Sequence, residues 1–216
     1  MSVIHDILVF PKRAFEKIKE KPFWWQGFAV VFASQFVGIS LQVWSNYEYA
    51  SQVIASGIPQ GIPEGAEWIV PFTVFMTTVL VLVVMLMFRF VDAIVINLLA
   101  RPLGGQPNFS NVLGVVAWSG MPSALGALLR GLMAFLSYGF HFQTGLGVLA
   151  SPETILRGLL SGFEIFSFWL WSAILMAEGM VRVLGCKRWG SYLVAFGLWV
   201  LWILLFVGLV FFKGSP

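Results

Sequence analysis

Residues 68–88 read WIVPFTVFMTTVLVLVVMLMF, 21 positions with no ionisable group and a centre of valine, leucine and methionine. As a helix rising about 1.5 Å per residue they extend about 30 Å, the thickness of a bilayer's hydrocarbon core. This is the clearest membrane span in the chain. The whole sequence agrees with it: of 216 residues, 59% are hydrophobic, 16% aromatic and 11% charged. A soluble domain is about half apolar and about a quarter charged, so the polar surface of a water-exposed globule is lacking. Many aromatics with few charges is also the reverse of a disordered composition. The expected fold class is all-α, a polytopic transmembrane helical bundle.

Outward from this stretch, four more apolar runs reach span length. Phe23 to Trp44 holds Gln26, Gln35 and Gln42 but no charge, and tryptophan marks both ends as an interfacial anchor would. Before it, the basic cluster follows the apolar stretch Val3 to Phe10 and no small-residue cleavage site is present, so the first span is expected to be retained. After residue 100, Arg101-Pro102-Leu103-Gly104-Gly105-Gln106-Pro107 opposes a continuing helix. The third span begins near Asn111. Arg130 interrupts it, and Gly139, His141, Gln143, Gly145 and Gly147 beyond are poor occupants of a lipid-facing helix, so one long span followed by a loop is expected over 111–150 rather than two helices. Gly158 to Ala177 and Gly190 to Phe212 complete the set. The expected organisation is a basic segment 1–22, one five-helix domain over 23–212 with spans near 23–44, 68–92, 111–137, 158–180 and 190–212, and a short outer tail 213–216.

Orientation follows from lysine and arginine in short flanks, which resist translocation. Lys12, Arg13, Lys17, Lys19 and Lys21 precede the first span, whereas residues 45–67 hold three glutamates and no lysine or arginine. With Arg89, Arg101, Arg182, Lys187 and Arg188, ten basic residues fall on the inner side, against Arg130, Arg157 and Lys213 outside. The N-terminus is expected in the cytoplasm and the C-terminus outside. The net charge of +3 is thus a topology signal, and no nucleic acid partner is expected. Pro11 to Pro22 opens with a proline suited to a first helical turn and places Ala14, Phe15 and Ile18 on one helical face. It reads as a basic amphipathic interfacial helix, its five cations drawn to anionic lipid at the inner surface, and equally as a plain positive flank.

Charges within spans are costly and so mark the candidate functional positions. Arg89 falls at the inner edge of the second span with Asp92 three residues on, and Glu178 falls at the same expected depth in the fourth span with Arg182 four residues on. The four sum to zero charge. They read either as helix-end salt bridges that set depth and packing or as part of a path for a solute, ion or lipid. Nearer the outer side, Glu164 lies about 9 Å into the fourth span, with Arg130 and Arg157 as candidate partners; left unpaired, it is a protonatable site. Close helix packing is written in Ser123, Ala127 and Gly131, in Gly158 and Gly162, and in Ala173 and Ala177, which serve either contacts within the chain or a homo-oligomer. Pro122 is expected to kink the third span.

No metal, cofactor or catalytic site is expected. His5, His141 and the single cysteine, Cys186, are far apart in sequence and on different sides, and no H-E-x-x-H, phosphate-binding glycine loop, G-x-S-x-G or C-x-x-C is present. Asn108-Phe109-Ser110 matches a glycosylation sequon but falls in an expected inner loop.

The stretch from Phe10 through Pro11-Lys12-Arg13 to Lys21-Pro22, leading straight into a span, resembles the N-terminal entry of the Yip family of Ypt/Rab-interacting membrane proteins in its prokaryotic form. Leu103-Gly104-Gly105, then Asn108-Phe109-Ser110, then Trp118 to Pro122 resemble that family's glycine-pair loop and proline-containing third span. The resemblance implies a five-span membrane protein without known catalysis, associated in eukaryotes with small GTPases and vesicle traffic. A long cytoplasmic N-terminal region and an Asp-Leu-Tyr-Gly-Pro segment are lacking, which speaks against a Rab-type partner; the compact form suits a bacterial inner (plasma) membrane. Two functions are then in view. The first is a non-enzymatic membrane-organising or adaptor protein whose protein partner the sequence does not name. The alternative is a small permease, channel or lipid-moving protein that uses the charges of spans two and four. The first leads, because 216 residues without an internal repeat or a pair of broken spans do not suit alternating access.

Overall fold

The computed structural model describes residues 3–45, 68–136 and 155–212, and the ordered elements in them are all helices. They are α1 (Val3–Val9), α2 (Pro11–Glu20), α3 (Trp24–Ser45), α4 (Ile69–Ala100), α5 (Phe109–Ser119), α6 (Met121–Leu136), α7 (Ile155–Val183) and α8 (Arg188–Phe212). Five stretches among the described residues are long and apolar enough to cross a membrane: Trp24–Trp44, Pro71–Ala100, Phe109–Leu136, Phe166–Val183 and Arg188–Leu205. Their number matches the five spans expected from the sequence, and each overlaps one of them. Phe72, Phe75, Leu80, Met87 and Leu98 on α4, and Leu193, Leu201 and Leu204 on α8, are exposed. So much outward apolar side chain suits a lipid solvent and would aggregate in water.

One compact unit comprises Met1–Ala29, Phe88–Pro122 and Ser167–Pro216. Its centre is α5, in which every residue from Val112 to Ser119 is buried. Asn108 starts α5, its side chain accepting from the Ser110 N–H at 3.1 Å. Phe15 and Ile18 of α2 pack at this helix, and Ile96 of α4, Leu175 and Met180 of α7 and Ala195 of α8 are buried in the same unit. Two contacts show why these positions are small. A Cβ on Gly114 would lie 3.0 Å from Ile18, and one on Gly179 would lie 2.6 Å from Val115 and 2.9 Å from Phe15.

The third span is a single apolar stretch, Phe109–Leu136, with a break beside the expected kink at Pro122. α5 ends at Ser119, Gly120 takes a φ of −74° and ψ of −9°, and α6 begins at Met121. Pro122 has no N–H to give the preceding turn. The turn tightens instead: the Gly120 N–H reaches back to Ala117 at 3.2 Å, and the Ser119 hydroxyl donates to the Val116 carbonyl at 2.9 Å. Pro122 then sits in the first turn of α6, where a missing donor costs little.

The second unit comprises Val30–Met87 and Ser123–Phe166. Within it α3 crosses α6 so closely that a Cβ on Gly38 would fall on the Ala127 carbonyl, and one on Gly131 would fall on the Gly38 carbonyl. The Ser123/Ala127/Gly131 face is therefore filled by α3 of the same chain, as small-xxx-small faces allow. Ala173 and Ala177 of α7 are buried in the first unit. The side chains at 155–165 and residues 137–154 lie outside the described residues, and with them Gly158, Gly162, Arg157 and the Glu164 side chain.

Candidate functional site

Glu178 is the node of the first unit. It lies in the last two turns of α7, 13% exposed, and its two oxygens take three donors. Oε2 accepts from Arg182 Nε at 3.3 Å, the expected pairing four residues along the same helix. Oε1 accepts from the Tyr192 hydroxyl at 2.8 Å and from Arg188 Nη2 at 3.3 Å, both on α8. Arg182 extends the chain of charges to Glu16 of α2, 4.0 Å away. Sequence reading found the Arg182 pairing and missed Tyr192, Arg188 and Glu16, since they meet only when α7 turns back into α8 and α2 docks.

Asp92 on α4 is 4% exposed and accepts from Trp202 Nε1 on α8 at 2.8 Å. Arg89, one turn earlier, attracts it electrostatically. The Phe88 ring packs against the same indole, tilted by 35°, with centroids 4.3 Å apart. Asp92 and Glu178 do not gather into the single neutral group expected from depth. Their partners on α8, Trp202 and Tyr192, are ten residues apart, about 15 Å of helix rise. Each acid anchors a different level of α8, because the helix between them offers donors at both.

The glycine-pair loop is a lock between two turns. Gly104, at φ +81°, lets the chain reverse after α4, and the Gly105 N–H returns to the Ala100 carbonyl at 2.9 Å. A Cβ on Gly105 would lie 2.6 Å from Cys186 Sγ and 2.9 Å from the Leu184 carbonyl. Two backbone bonds, Gln106 N–H to Leu184 and Lys187 N–H to Leu103, both 2.9 Å, tie this loop to the turn between α7 and α8. Leu103 fills the space over Gly190, where a Cβ would overlap it. Cys186 is buried against the Ala100 carbonyl at 3.7 Å, and burial pushes its thiol up from the usual range. Phe109, just beyond the lock, is exposed.

At the N-terminus α1 folds back on α2. Pro11 is the first residue of α2, and Phe10 accepts the Arg13 and Ala14 N–H groups. Asp6 is fully buried, with Lys17 Nζ 2.6 Å from Oδ2 and His5 Nδ1 3.5 Å from Oδ1. The Lys17 hydrogen bond holds the Asp6 carboxyl below its usual range against the opposing effect of burial. Lys17, grouped by sequence with the lipid-facing cations, is thus tied to Asp6, whereas Lys12, Arg13, Lys19 and Lys21 are exposed. The apolar face of α2, Ala14, Phe15 and Ile18, is buried against protein rather than presented outward. Arg130 sits half-buried on α6 in the second unit. Among the described residues no three His, Cys, Asp or Glu side chains gather as a metal site needs.

Five apolar spans, intramembrane acids held by neighbouring helices, and an amphipathic basic helix docked on the bundle define an integral, polytopic helical membrane protein. The chain belongs to the Yip1 domain family, which matches residues 6–210. It is 28% identical over 214 residues to membrane protein YknW of Bacillus subtilis (strain 168), a match covering 96% of this chain and 90% of that protein. No solved structure matches the chain.

Proposed function

We propose that this Yip1-family protein is a non-enzymatic membrane-organising or adaptor protein of a bacterial inner membrane, with α1, α2 and the locked loops on the cytoplasmic side. The observation that carries the reading is the saturation of Glu178 by Arg182, Arg188 and Tyr192. A carboxylate with three donors is a brace between helices, and a transport path needs the same group open to water or solute. The locked loops 101–106 and 184–187 supply a rigid surface at that end, of the kind a protein partner recognises. Purified protein in liposomes tests the proposal through parallel assays of proton, small-ion and fluorescent-lipid movement. Flux equal to that of protein-free vesicles is expected. Flux that disappears in folded Glu164→Gln or Asp92→Asn would replace this reading with a permease or lipid-moving protein.

A further inference from the structure

The depth of α2 is set by what it packs on. Phe15 meets Gly179 and Ile18 meets Gly114. Gly114 is five residues inside the span Phe109–Leu136 and Gly179 four residues from the end of Phe166–Val183, so both contacts lie about 6–8 Å inside the span ends. The headgroup layer on each side of a bilayer is about 5–8 Å deep. A helix whose apolar face is anchored inside the hydrocarbon edge holds its exposed lysines at the headgroup layer above that edge, not out in water. Lys12, Lys19 and Lys21 around it are exposed and have no carboxylate within ion-pair distance among the described residues. In the same unit the locked loops expose Arg101 and Lys187, again without a carboxylate partner among the described residues. The exposed acids on α2 are Glu16 and Glu20, and Glu16 is drawn toward Arg182. Each cationic group is followed in sequence by an exposed tryptophan: Trp25, 60% exposed, four residues past Lys21, and Trp189, 80% exposed, two residues past Lys187. Cations at phosphate level with an indole at the interface is the arrangement that holds an anionic lipid.

We infer that Lys12, Lys19, Lys21, Arg101 and Lys187, with Trp25 and Trp189, form a rim that binds anionic phospholipid headgroups of the membrane the protein spans. Depth selects lipid over a soluble acidic partner, because side chains anchored at headgroup level meet phosphates before they meet anything from the aqueous phase. The rim is independent of the adaptor role and holds whichever solutes do or do not cross the bundle.

The test uses the full chain in nanodiscs of phosphatidylcholine with a minor fraction of phosphatidylglycerol, followed by native mass spectrometry of the lipids that stay bound. The wild type should retain phosphatidylglycerol well above its bulk share. The pairs K19Q/K21Q and R101Q/K187Q should each weaken that preference by about fivefold per cation removed, and K19R/K21R should restore it. Raising salt beyond the physiological range should weaken it too, since these charges are exposed. Unchanged thermal midpoints identify the variants as folded. Equal retention of the two lipids by the wild type, an unchanged preference in both glutamine pairs, or complete displacement of the lipid by an acidic peptide or RNA would overturn the inference.

Discussion

Glu178 shows how much a single side chain can organise. Its bond to Arg182 lies within one helix turn and was legible from spacing alone, while Tyr192 and Arg188 stand 14 and 10 residues away across a turn. Their arrival follows from Gly185, whose φ of +73° reverses the chain, and from the Cys186 N–H, which returns to Met180 at 3.2 Å. Glu178→Gln should lower stability in detergent by about 1–3 kcal/mol, since a charged hydrogen-bond acceptor is lost while its donors stay behind. The Arg188 contribution to that figure is small, because its side chain is 75% exposed and water screens it. An unchanged thermal midpoint would contradict the brace. Asp92 is the quieter case. An acid within a span could be flagged from the sequence, but its indole partner on α8 could not, as 110 residues separate Asp92 from Trp202.

The α1–α2 hairpin is a small element with a pH-dependent clasp. Asp6 is ionised in the folded state and its carboxyl sits below the ordinary value of 3.8, chiefly through the Lys17 hydrogen bond. The unfolded hairpin therefore binds the proton more readily, and the clasp's stability is fully present above the ordinary value and lost as pH falls through the lowered one. Protection of α1 amides against hydrogen exchange, taken relative to α2, should hold at neutral pH and fall in that acidic window. Asp6→Asn should abolish the pH step; a step that survives the substitution would place the titrating group elsewhere. The amphipathic face of α2 was plain from Ala14, Phe15 and Ile18, yet what it would cover was not, because a bilayer and the bundle are both apolar. Gly114 and Gly179 decide it by opening slots of the right depth. The break at Gly120 was half legible: Pro122 announced a disturbance, and the Ser119 hydroxyl and the tightened turn placed it two residues earlier.

For the whole molecule, reporter fusions can check the topology proposed from the basic residues. Alkaline phosphatase joined at the C-terminus should be active outside the inner membrane, and the same enzyme at the N-terminus inactive. The opposite result would move α2 and its rim to the outer side. The number and order of the apolar spans were determined by the sequence alone, because a bilayer of roughly constant thickness demands about 20 apolar residues per crossing and makes unpaired charge between costly. The same holds for the amphipathic character of α2 and for family membership, since the family matches residues 6–210 of the sequence. Which face meets which was decided by tertiary structure. Gly38 admits α6, Leu103 fills the space over Gly190, and Glu178 and Asp92 each find a donor on a different level of α8. Apolar side chains carry little directional information within a membrane, so close fit and a few distant hydrogen bonds choose among pairings that periodicity leaves equal.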